Sequence, residues 1–124
     1  MSEIKTSGIS ESARELDLQI ERNRIEFEGK YVTNEQNMGK FVKVYSFFHW
    51  LADENGGEVI SHDVHPESIQ AKVSIDVPLI DIHKDGMKRF IDILQYVDTF
   101  KVATAEQDNL LIHASVNNVW EIVE

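Results

Sequence analysis

Two stretches of this 124-residue chain repeat one amphipathic pattern: residues 41–51, FVKVYSFFHWL, and residues 87–97, MKRFIDILQYV. Each is followed by two segments in which apolar and polar residues alternate. Apolar residues at helical spacing followed by apolar residues at period two predict a helix and two strands, given twice. A chain written this way folds as mixed helix and sheet, with two similar halves.

The first helix is bounded by signals. Thr33 and Gln36 have capping-box spacing ahead of the apolar run, and Asn55-Gly56-Gly57 is a strong stop. Residues 58–64 then read as a strand. Ile69, Ala71, Val73, Ile75, Val77 and Leu79 alternate with Gln70, Lys72, Ser74, Asp76 and Pro78, the cleanest period-two signal in the chain. One face of that strand is buried and the other meets water. Pro78 lacks an amide hydrogen, so the strand should lie at an edge or leave the sheet there. Asp85 is placed to cap the second helix, over about 86–96. Strands follow at 99–105, 109–116 and 119–123, with Glu106-Gln107-Asp108 and Asn117-Asn118 as turns, the latter as a tight hairpin.

Upstream the pattern is ambiguous. Residues 1–10 mix Ser, Thr, Gly and charges without apolar periodicity and are expected to be a mobile arm before a single domain over 11–124. Over 11–22, Leu16, Leu18 and Ile20 alternate as in a strand, yet Ile9, Ala13, Leu16 and Ile20 also share a helical face, so both readings stand. Residues 25–32, with Ile25, Phe27, Tyr31 and Val32, favour a strand. From Ile25 onward the order is strand, helix, strand, strand, helix, strand. This is the ferredoxin-like order of an α+β sandwich, with two helices on one face of an antiparallel sheet and an extra C-terminal hairpin strand.

Charge limits the partners. The chain has 22 acidic and 12 basic residues, a formal net charge of −10, and beyond Ile91 Lys101 stands alone against Asp92, Asp98, Glu106, Asp108, Glu121 and Glu124. Such a surface repels polyanions, so neither nucleic acid nor membrane is expected as a partner. The sheet face of Gln70, Lys72, Ser74 and Asp76 also lacks the aromatics on which single-strand readers stack bases. No cysteine is present. That removes disulfides and thiolate chemistry and suits a cytoplasmic setting.

Motifs for catalysis are missing: GxSxG, HExxH, GxGxxG and the Walker A loop do not occur, and His49, His83 and His113 stand in no catalytic order. No catalytic residue and no cofactor is expected. His62, Asp63, His65 and Glu67 gather metal-ligand side-chain types within six residues, but a strand would split them between two faces, and a solvated turn is the simpler reading. Two large aromatics, Trp50 and Tyr96, project off the core face at the same place in each half. With Val42, Lys43 and Arg89 they form a candidate partner interface, because Trp and Tyr supply much of the energy at protein contacts. The expected function is a non-enzymatic interaction or regulatory module that binds a protein partner or itself; the alternative is a small-molecule or enzymatic pocket between helices and sheet, lined by Tyr45, His49 or Trp50.

Overall fold

The computed structural model describes the backbone of residues 3–68, 70–78, 84–104 and 109–123; the side chains of 3–13 and 84–87 lie outside the description. Ile69, Leu79, His83, the turn at 106–108 and the side chains of Ile9, Ala13, Asp85 and Met87 therefore fall outside it as well. Along the chain run α1 (Glu3–Glu26), β1 (Tyr31–Thr33), α2 (Glu35–Glu54), β2 (Glu58–Asp63), a 3-10 turn (Pro66–Ser68), β3 (Ala71–Pro78), α3 (Lys84–Leu94), β4 (Thr99–Thr104), β5 (Asn109–Val116) and β6 (Trp120–Ile122). The architecture is α+β, with a four-stranded antiparallel sheet of order β2-β3-β5-β4 and a separate antiparallel pair, β1 with β6.

The duplication seen in the sequence is real in the sheet, but its unit differs from the ferredoxin-like one. Each half runs helix, outer strand, inner strand: α2, β2, β3 and then α3, β4, β5. The inner strands β3 and β5 pair along their full length, from Ala71 opposite Val116 to Pro78 opposite Asn109. In the ferredoxin-like order the strand before the first helix belongs to the main sheet. Here the strand before α2 has only three residues and pairs with β6. The expected C-terminal hairpin is absent for the same reason. Asn118 takes a positive φ of 57°, and β6 leaves β5 for β1.

The ambiguous N-terminal segment is helical. Leu16, Ile20 and Asn23 are buried at helical spacing, whereas Leu18 and Ile25, which gave the strand-like alternation, are exposed. Burial along one stripe therefore decided between the two periods. The helix also takes in Glu3 to Ser10, expected as part of an arm, and ends at Glu26 inside the segment expected as a strand. Gly29, at φ +86°, turns the chain out of it. Asn23 Nδ2 (3.4 Å) and the Trp120 indole N–H (2.7 Å) both donate to the Val64 carbonyl, which ties α1 and β6 to the end of β2.

The core is built around α2. Met38, Phe41, Val44, Tyr45, Phe47, Phe48, Leu51 and Ala52 are buried on it, facing Ala71, Val73, Ile75 and Val77 of β3 and Ile112, Ala114 and Val116 of β5. Each Val, Leu, Ile, Phe or Met among them contributes about 1.5–3 kcal/mol on burial. The N-cap is Asn34, one residue after the expected Thr33. Its side chain accepts from the Asn37 N–H at 3.1 Å, while the Thr33 hydroxyl accepts from Arg24 Nε at 3.2 Å. The stop signal acts as read: Gly56 has φ +72°, and the Gly57 N–H donates to the Ala52 carbonyl at 2.8 Å, the six-to-one bond of a Schellman ending. Gly57 also lies so close to Asp76 and Val77 of β3 that a Cβ there would fall 2.3 Å from the Asp76 carbonyl oxygen.

Candidate interaction surfaces

Four of the five residues singled out as a partner interface, Lys43, Trp50, Arg89 and Tyr96, meet at the junction of α2 and α3. Arg89 of α3 lies over the Trp50 ring at 4.7 Å from its centroid. Lys43 of α2 lies over the Tyr96 ring at 5.1 Å. Each helix thus sends a cation across to the aromatic near the other's end, and Trp50 also packs on Phe47 at 5.7 Å between centroids. Trp50, Tyr96 and Val42 are half-buried against the core. One face of each ring is used inside the molecule, in a reciprocal cation–π clasp worth about 0.5–1 kcal/mol per contact.

The cluster at His62, Asp63, His65 and Glu67 is a capped turn. Asp63 accepts from the His65 N–H at 2.9 Å and from the Ser68 hydroxyl at 2.8 Å, and His65 Nδ1 accepts from the Glu67 N–H at 3.2 Å. His62 turns away to Gln19 Oε1 at 2.8 Å and stands edge-on to Tyr45. The four side chains do not converge, and no group of three metal-ligand residues does so among the described residues. His49 Nδ1 lies 3.2 Å from the Asp53 carboxylate without hydrogen-bond alignment. Between helices and sheet, Phe41, Val44, Phe48, Val73 and Ile75 are fully buried. His113 lies on β5, where its Nδ1 lies 2.5 Å from the Ser74 hydroxyl. That pair spans 39 positions and could be found only by knowing the β3–β5 register.

The outer strands differ in a way that single-strand patterns conceal. β2 is broken by a register shift between Val59 and Ser61 and has Glu58 and Asp63 at its ends. Bulges and charges of this kind blunt an edge against further pairing. β4 pairs without interruption on β5, every one of its residues is exposed, and Lys101 is its sole charge. Phe100 and Val102 share the helix-side face, opposite Ala114 and Ile112. Phe90 reaches Phe100, at 5.4 Å between ring centroids, yet Phe100 stays 36% and Val102 49% exposed. Exposure of an edge depends on sheet order, which the residues of 99–105 do not themselves encode.

Compared with known proteins, the chain matches no family model, no curated protein and no solved structure. No helix among the described residues is long and apolar enough to cross a membrane.

Proposed function

We propose that the protein is a non-enzymatic, self-associating interaction module, and that the contact is β4 against β4 of a second copy. The observation that supports this most directly is the uninterrupted outer strand, every residue of which is exposed, with Phe100 and Val102 only partly covered. Unpaired strand edges add strands readily, main-chain hydrogen bonds giving affinity and alternate side chains giving register.

The strand is self-complementary in one register. An antiparallel pairing centred on Val102 sets that residue opposite its own copy and Phe100 opposite Thr104, so the apolar faces of both copies join. It also places Lys101 opposite Ala103, away from the second Lys101. Centring on Lys101 would oppose two like charges, which is destabilising. A chain with net charge −10 resists meeting its copy, and β4 is an approach free of carboxylates within the strand itself.

The chain has no cysteine, so a single Val102→Cys variant tests the register. Residues directly opposite across an antiparallel pair bring their Cβ atoms to roughly 4.5–5.5 Å, close to disulfide reach. Val102→Cys is expected to form a covalent dimer under mild oxidation, and Lys101→Cys far less. Sedimentation of the unmodified chain should show a dimer that Val102→Lys converts to monomer with an unchanged circular dichroism spectrum. A monomer at high micromolar concentration, with no Val102→Cys cross-link, would refute the proposal.

A further inference from the structure

The face of the main sheet turned away from the helices carries an open pocket of about 420 Å³. Six of its nine lining residues come from three adjacent strands in two cross-strand rows, Lys72, Ser115 and Thr99 in one, Ser74, His113 and Lys101 in the other; Gln70, Val73 and Ala114 complete the lining. All six face the open side, because their neighbours Val73, Ala114 and Phe100 point toward the helices. In a chain with a net charge of −10, this six-residue patch has two lysines and no carboxylate. Among the described residues neither Lys72 nor Lys101 makes a salt bridge. Asp63, the residue opposite Lys72 on β2, has its two carboxylate oxygens occupied by the His65 N–H and the Ser68 hydroxyl.

The floor of the cavity is prepared for a polar guest. Ser115 is 6% exposed, and its hydroxyl is buried without a hydrogen-bond partner. A ligand oxygen would supply the hydrogen bond that this buried hydroxyl lacks. Beside it the Ser74 hydroxyl meets His113 Nδ1. When that hydroxyl donates, the ring proton sits on Nε2, available to a ligand acceptor. The two lysines stand at opposite corners of the grid, two strands and two residues apart, or about 12 Å between Cα atoms from standard sheet spacing.

We propose that this face binds a small oxyanion charged at both ends, of phosphate or carboxylate type. Lys72 and Lys101 hold the two ends, and the hydroxyl of Ser115 and the ring of His113 contact its middle. The proposal does not rest on self-association: Lys72, Ser115 and His113 lie on the inner strands, and of the β4 residues only Thr99 and Lys101 take part.

The test is isothermal titration of the full chain at low salt, without divalent cations, using pyrophosphate and citrate as probes and acetate as the singly charged comparison. Saturable binding of pyrophosphate or of citrate, tighter than acetate, is expected, and which probe binds tells phosphate from carboxylate chemistry. Lys72→Gln and Lys101→Gln should each weaken it roughly tenfold, the loss of one charge-assisted hydrogen bond. Ser115→Ala should weaken it by a smaller factor. Lys30→Gln with Lys88→Gln, which removes two exposed lysines elsewhere, should leave it unchanged. No heat from either probe would overturn the proposal, as would equal weakening in the Lys30 and Lys88 control. Lys72→Gln keeps the outer strand intact, so its effect is separate from any failure to dimerise.

Discussion

The two helices that look alike in the sequence live in different surroundings. α2, 20 residues long, buries eight side chains and touches β2, β3 and β5. α3 has 11 residues, and of its described side chains only Phe90 is buried; Ile93 and Leu94 are half-covered and Ile91 is 61% exposed. α3 ends at Leu94, so Tyr96 and Val97 lie in the turn beyond it, held by bonds from their N–H groups to the Ile93 and Leu94 carbonyls at 2.9 and 3.2 Å. A shared amphipathic pattern therefore sets which side of a helix is apolar, while sheet position sets how much of that side is covered. The helix over the centre becomes core. Its counterpart leaves the neighbouring outer strand partly bare, and the exposed β4 follows from that shortfall.

The largest contrast should appear on truncating one aromatic in each helix. Phe48 is fully buried and stands 6.3 Å from Phe90, whose own position is at the rim between Phe47, Phe48 and Phe100. Phe48→Ala is expected to cost about 3–5 kcal/mol in urea unfolding, because a cavity at the sheet centre has little room to collapse. Phe90→Ala should cost no more than about half of that, since the rim relaxes into solvent. Equal losses would mean that α3 is as much part of the core as α2.

Next in size is the C-terminal end of α2. Gly57→Ala would drive a methyl into the Asp76 backbone oxygen and the Val77 side chain, so that the helix end and β3 must separate. We expect a loss of about 1–3 kcal/mol by chemical denaturation. Gly39, exposed on the same helix with open space around its α-carbon, supplies the opposite sign. Gly39→Ala should stabilise by about 0.5–1 kcal/mol through helix propensity. A matching gain at both glycines would contradict the close approach at Gly57.

The same contrast explains how much of the fold was legible. α2 and β3 are buried along a full stripe or face, so their periods stand in the sequence, and the Asn55-Gly56-Gly57 stop announced its own geometry. β1 is too short to show a period, and its partner β6 lies at the other end of the chain. Sheet order is a decision about long-range pairing, which local alternation does not contain. That is why the ferredoxin-like order was expected from strands that pair otherwise. The candidate sites were obscured for the same reason. Lys72, Lys101, Ser74, His113 and Ser115 are unremarkable where they stand in the chain, and become a patch only when β3, β5 and β4 lie side by side. Trp50 and Tyr96 were visible as outward aromatics, but the cations that cover them come from the opposite helix.

The smallest expected effect is at that clasp. Arg89→Ala and Lys43→Ala each remove a cation from a half-exposed ring and should cost about 0.5–1 kcal/mol apiece, with a weak dependence on salt. Their effects should nearly add, because each pair has its own ring and its own cation. Native-state hydrogen exchange is the more discriminating readout. If the clasp fastens α3 to α2, the double variant should raise exchange in α3 while α2 keeps the protection of the global unfolding reaction. Uniform acceleration through both helices would show instead that α3 opens only when the whole domain does, and the division between a rigid central helix and a lightly held outer one would fail.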